Sequence, residues 1–231
     1  MRPDDLPQIR ELNIFKGISE ESFDELMRAS FLQTFPAQME LIEEGEPADF
    51  LHVVVEGCVE LFAQSNGRES TMAMVYPVSS FILAAIMKDA VYLMSARTNK
   101  KSRVLMIPAV SVRHVFDTDP AFSKAMVIEL SSCYRGVVKE HKNLKLRTSV
   151  ERLANRILRY RQKQQNDQIT LPYDKKILAS NLGMTPENLS RAFNTLKPYG
   201  VKVEGNKITL SDVEQLAKFA KPSKLIDDQS V

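Results

Sequence analysis

A chain of 231 residues, 44% hydrophobic and 26% charged, can bury a sizeable core as one large or two modest domains, and is not a disordered polymer. Its formal net charge of +2 excludes a polycation, so any nucleic-acid face has to be local. No run approaches the roughly 18 apolar residues of a membrane span, and the acidic N-terminus lacks a secretory signal's apolar stretch, so a cytoplasmic protein is expected.

Residues 6–30 predict helices. Leu12, Phe15 and Ile18 give an apolar side, and Ser19 can cap a second helix with Glu20 and Glu21 in its first turn. From 31 to 108 short apolar runs alternate with turn residues. The runs are Leu41-Ile42, Leu51 to Val55, Val59 to Phe62, Thr71 to Val75 and Val104 to Ile107; the turns include Glu56-Gly57 and Ser65-Asn66-Gly67. Strands at that spacing predict a sandwich or barrel.

After Pro108 the pattern is helical to about Gln165. Val127, Leu130, Tyr134, Val137, His141 and Leu144 recur at alternating spacings of three and four. Two readings fit: a dimer seam, or an ordinary amphipathic helix lying on the strand domain. From Gln168 a second domain begins, with a helix containing Ile177, Ala179 and Leu182, a Gly183-Met184 turn and a second helix from Thr185. Val201 to Val203 and Ile208 to Leu210 flank a hairpin tip at Glu204-Gly205-Asn206-Lys207. Residues 221–231 are polar and are expected to form a mobile tail.

Wound as a helix, the segment from Thr185 to Leu196 carries two rows. Leu189, Ala192, Phe193 and Leu196 are apolar; Glu187, Ser190, Arg191 and Asn194 are polar. Thr185 can cap, Pro186 suits the first helical position, and Glu187 suits the positive N-terminus. Ala179, Gly183 and Leu189 have the spacing of a helix-turn-helix, and the following hairpin makes it the winged type. In a major groove, Arg can bond guanine O6 and N7 together, Glu can accept from a cytosine amino group, and Ser can reach either kind of edge. The alternative for Glu187 and Arg191 is a surface pair worth about a few tenths of a kcal/mol. Lys175, Lys176, Lys197, Lys202 and Lys207 would add a local field for phosphates.

With Ile14-Phe15-Lys16-Gly17-Ile18-Ser19, Ile42 to Asp49, Val53 to Val59 and Glu187-x-x-Ser190-Arg191, the chain resembles the catabolite activator protein/FNR superfamily of bacterial transcription regulators. The resemblance implies an α+β fold. An N-terminal double-stranded β-helix sensor (1–115) would precede a dimerisation helix (116–146), a winged helix-turn-helix (147–220) and the tail. It also implies a homodimer reading a palindrome with half-sites near TTGAT, and RNA polymerase as a partner. Arg191 would then sit on guanine, Glu187 near the paired cytosine and Ser190 on a thymine. Thr185 would serve in capping and Asn194 on phosphate.

The sensor departs from the superfamily's nucleotide-binding cassette, which has the form F-G-E followed by R-S or R-T. Here the stretches read Phe81-Ile82-Leu83 and Tyr92-Leu93-Met94, without the glycine, the ribose-binding acid or the phosphate-binding arginine. A buried cyclic phosphate would lack a counter-charge, so cyclic AMP or GMP is not expected in the usual mode. Arg97 and Arg103 lie nearby but off the motif. The N-terminal cysteines of an iron–sulfur centre are also missing. Phe81, Ile82, Leu83, Met87, Tyr92 and Met94 form either core packing or the wall of an apolar effector pocket. A haem effector, with His52, His114, His141 or Cys58 as axial ligand, is one form of the second reading. No catalytic constellation or metal motif is found. The competing function is a sensory or interaction module, including a haem gas sensor, whose C-terminal domain contacts protein.

Overall fold

A short helix α1 (Leu6–Arg10) leads into α2 (Glu20–Ala29), which Ser19 caps by accepting the Ser22 N–H at 3.1 Å. The structure, a computed structural model, describes residues 5–228. It divides into two units, Met1–Cys133 and Tyr134–Val231, and the division falls within one long helix.

The first unit is built on six strands: β1 (Phe31–Phe35), β2 (Glu40–Ile42), β3 (Phe50–Ser65), β4 (Arg68–Val75), β5 (Ser79–Phe81) and β6 (Ser95–Pro108). Their order is β1-β6-β3-β4, with β2 on β6 and β5 on β3, and every pair is antiparallel. Asn66 and Gly67, both at positive φ, turn β3 into β4. The expected turn at Glu56-Gly57 is instead a bulge inside a continuous β3. Gly57 sits at φ +97°, and a Cβ there would lie 2.2 Å from Ser102 Oγ. That hydroxyl accepts the Cys58 N–H at 3.0 Å, so the strand bends around a close crossing of β3 and β6. Helix α3 (Leu83–Lys88) follows β5. Phe15, Leu26, Leu51, Ile86, Leu105 and Ile107 form the centre of the core.

Helix α4 (Ala109–Thr118) ends at Asp119, and the long helix α5 (Pro120–Leu146) starts at Pro120, not at the expected 116. Asp119 is the reason for the break: its carboxylate accepts the N–H groups of Ala121 and Phe122 at 2.9 and 3.1 Å, and that of Ser19 at 3.0 Å.

In the second unit, α6 (Ser149–Gln164) starts with a capping box between Thr148 and Glu151. Then come β7 (Gln168–Thr170), α7 (Lys175–Asn181), α8 (Pro186–Leu196), β8 (Val201–Glu204), β9 (Lys207–Leu210) and α9 (Val213–Ala220). Strand β7, absent from the sequence reading, joins the hairpin in the order β7-β9-β8 by burying Ile169. The expected mobile tail is corrected for residues 221–228. A helix α10 (Lys224–Asp227) buries Ile226 and is pinned just past the end of α5 by an Arg147–Asp227 ion pair of 2.6 Å. Residues 229–231 lie outside the described residues.

Candidate nucleic-acid interface

Asp174 caps α7 by accepting the Ile177 N–H at 2.8 Å, and Ala179 and Leu178 of that helix are fully buried. Gly183, at φ +64°, makes the turn, with the Met184 N–H bonded to the Ala179 carbonyl at 3.0 Å. Thr185 then caps α8 by accepting the Asn188 N–H at 3.2 Å, with Pro186 at the first helical position. Leu189, Ala192, Phe193 and Leu196 are buried, which anchors the helix from behind and leaves Glu187, Ser190, Arg191 and Asn194 exposed.

The surface pair considered for Glu187 and Arg191 is not formed. The backbone N–H of Glu187 and the Thr185 hydroxyl lower its pKa ahead of the Arg191 field. Among the described residues no ion pair reaches the Arg191 guanidinium, so its donor fork faces solvent. Lys176, Lys197 and Lys207 are exposed around the unit. Lys202 is committed to Glu204 at 2.8 Å and subtracts from the expected basic field. Beside α8 a hollow of about 240 Å³ is lined by Lys175, Ser190, Phe193, Asn194 and Lys197, among others. Lys175 Nζ stands 5.8 Å from the Phe193 ring centroid.

In the first unit, Phe81, Leu83 and Tyr92 are buried in the continuous core, and Ile82, Met87 and Met94 pack against it. They take part in packing, while the neighbouring Leu93 is 77% exposed. Ile82 holds φ +62°, a left-handed conformation at the position where the nucleotide-binding cassette has glycine. The two nearby arginines are each closed by two carboxylates. Arg97 bonds Glu60 at 2.9 Å and Glu69 at 2.7 and 3.2 Å, its carbon 4.2 Å from the Phe62 ring centroid. Arg103 bonds Glu56 at 2.7 Å and Asp5 at 2.5 Å.

The sequence profile of the cyclic nucleotide-binding domain matches residues 32–119, and that of the Crp-like helix-turn-helix domain matches residues 151–219. The chain belongs to the CRP/FNR superfamily. This regulator is 23% identical over 215 residues to the CRP-like cAMP-activated global transcriptional regulator of Mycobacterium tuberculosis, covering 90% of this chain and 96% of the relative. A regulatory protein from Silicibacter pomeroyi has 27% identity and a TM-score of 0.60, covering 94% of this chain and 100% of that one. FixK2 from Bradyrhizobium japonicum has 21% identity and a TM-score of 0.71 over 84% of this chain and 98% of its own. The chain is therefore a Crp-like transcription regulator with a helix-turn-helix DNA-binding domain, in a superfamily of dimeric and generally non-enzymatic DNA-binding proteins.

The residues expected to form a dimer seam lie on α5. Val127, Tyr134, Val137, His141 and Leu144 are exposed, whereas Leu130 is half-buried against the core of the first unit. The four haem-ligand candidates stand in different local settings. His52 is buried and stacked on Phe81 at 5.3 Å; its Nδ1 has no hydrogen-bond partner, and burial pushes its pKa down to about 4. Cys58 is buried beside the β3 bulge, His114 lies 3.7 Å from Glu25, and His141 is exposed on α5. Among the described residues no helix is long and apolar enough to cross a membrane, and no three His, Cys, Asp or Glu side chains cluster as metal ligands. Sequence reading missed Arg147, Arg152 and Asp227 altogether; only the Thr148-x-x-Glu151 capping box signalled a helix start beside them.

Proposed function

We propose that this regulator is a cytoplasmic homodimer that reads a DNA palindrome with TTGAT-like half-sites and responds to a signal other than a cyclic nucleotide. The exposed polar row on α8, with Arg191 unengaged by Glu187, carries this reading. Arg191 donates to guanine, Glu187 accepts near the paired cytosine, and Ser190 meets a thymine. Asn194, Lys176, Lys197 and Lys207 fix register on the phosphates. Thr185 acts indirectly, through the cap that orients the helix.

The exposed apolar positions of α5 are covered by the same helix of a second copy. At a promoter, RNA polymerase is the further partner. The closure of Arg97 and Arg103 by four carboxylates supports the second half of the reading, because neither guanidinium is left to neutralise a cyclic phosphate.

Titration of the full chain against a TTGAT palindrome in a gel-shift assay tests the DNA reading. Salt-dependent binding whose preference for the palindrome is weakened by Arg191→Ala is the expected result. Absence of sequence preference at any salt concentration would transfer the C-terminal domain to the protein-contact reading. Sedimentation of Val137→Glu tests the seam, with a shift from dimer to monomer expected.

A further inference from the structure

Two arginines and the C-terminal helix meet where α5 hands over to α6. Arg147 is only 7% exposed, and its guanidinium donates to both carboxylate oxygens of Asp227, at 2.8 and 2.6 Å. A further bond reaches Asn143 Oδ1 at 3.1 Å. Asp227 is itself held, since it accepts the Ser223 N–H at 2.7 Å and sits beside the buried Ile226. Lys139 Nζ donates to the Asp228 carbonyl at 2.7 Å, which returns the segment to α5 a second time.

Arg152, in the first turn of α6, donates from Nη1 to the Arg147 carbonyl and from Nε to the Leu182 carbonyl, both at 2.9 Å. Its Nη2 lies 3.5 Å from the Gly183 carbonyl. One planar fork therefore satisfies orphan carbonyls at the end of α5 and at the helix-turn-helix turn together. Leu144 packs against the same Gly183. Deeper along α6, Arg156 and Arg159 share the single carboxylate of Glu140, at 3.6 and 3.8 Å. This patch is rich in guanidinium groups, so loss of Asp227 would leave Arg147 enclosed beside like charges.

We propose that residues Ser223–Asp228 are a latch and Arg152 a positioning residue, which together hold the helix-turn-helix at one fixed orientation to the C-terminal half of α5. The latch thereby sets the half-site separation that two copies can read. The inference rests on the DNA reading given above. A bidentate, largely enclosed pair is suited to this task, because its two parallel bonds fix direction as well as distance. The bonds of Arg152 to the turn carry that direction to α8.

The test compares full-length wild type, Asp227→Asn, Arg147→Ala and the exchanged pair Arg147→Asp with Asp227→Arg. Fluorescence anisotropy is recorded on palindromes whose half-sites are at the preferred spacing or one base pair further apart. Wild type is expected to favour the preferred spacing by about tenfold, and each single variant by about threefold or less, a difference of under ~1 kcal/mol. Restoration of the preference by the exchanged pair supports the latch. An equal loss on both duplexes, with the preference intact, overturns it in favour of a merely structural pair.

A second arm needs no DNA. Amide hydrogen exchange over Arg147–Arg152 is expected to quicken at least about fivefold in Asp227→Asn, as in a junction that opens locally. Unchanged exchange would overturn the latch. Failure of the wild type to bind any palindrome, with quickened exchange in Asp227→Asn, would instead overturn the DNA reading and leave standing the latch's hold on the helix-turn-helix.

Discussion

On α8, Glu187, Ser190, Arg191 and Asn194 stand in solvent above a buried row of Leu189, Ala192, Phe193 and Leu196. In the N-terminal unit Arg97 and Arg103 are paired within the chain: Glu60 is 1% exposed, holds Arg97 and accepts the Thr71 hydroxyl at 2.6 Å, while Arg103 is shared by Glu56 and Asp5. The first arrangement leaves hydrogen-bonding capacity for a partner, and the second satisfies that capacity within the chain. A surface that reads bases needs the first. The second fits the proposed signal other than a cyclic nucleotide, since a buried phosphate would need a cation that these carboxylates already hold.

Breaking the paired arrangement should have the largest effect. Glu60→Ala removes one of the two carboxylates that hold Arg97 and the carboxylate that accepts the Thr71 hydroxyl, and should lower unfolding stability by about 3–5 kcal/mol in chemical denaturation. DNA affinity per folded dimer should stay unchanged, since α8 is untouched.

His52 gives a pH-dependent version of the same contrast. Its folded pKa of about 4 lies below the unfolded value near 6.5, so the unfolded chain takes up a proton first as pH falls. Full stability is present above the unfolded pKa and is lost progressively down to about pH 4. Relative to His52→Leu, wild type should lose about 2–3 kcal/mol across that window, measured by urea unfolding at stepped pH.

The outward arrangement should break more selectively. Arg191→Ala should weaken binding to the palindrome by about 1–3 kcal/mol and leave binding to scrambled duplex nearly unchanged in anisotropy titrations. A uniform loss on both duplexes would move Arg191 from base to phosphate.

The smallest effect is expected at Asp119, whose carboxyl is held well below the usual range by the backbone N–H of Ser19 first, and by Phe122. Its stabilisation is present above the unfolded pKa near 4 and lost as pH falls below it. Asp119→Asn should destabilise by about 1 kcal/mol at neutral pH, as for a lost helix cap, with the difference vanishing in acid melts.

What could be read from sequence was largely local. Ser19, Thr185-Pro186 and Asn66-Gly67 act within a few residues of themselves, and each capped or turned the chain where expected. The Ala179, Gly183 and Leu189 spacing is equally local and placed the helix-turn-helix. Gly57 misled because turns and bulges both require positive φ; what distinguishes them is Ser102 beneath it, on another strand. The tail misled for the same reason. Among its described residues the one large buried hydrophobic side chain is Ile226, and its anchor Arg147 lies 80 residues away. The partners that close Arg97 and Arg103 are likewise 28 to 98 residues distant, so their charges read as available in sequence and are not so in the fold. The left-handed backbone at Ile82 had no signal at all, since isoleucine disfavours it.

The most direct measurement is anisotropy titration of the full-length protein on a TTGAT palindrome and on a scrambled duplex of equal composition, each with and without cyclic AMP. Tight, salt-dependent binding to the palindrome alone is expected, with the same affinity whether or not the nucleotide is present. Equal affinity for both duplexes would contradict the reading face, and cyclic AMP that raises palindrome affinity would contradict the closed sensor.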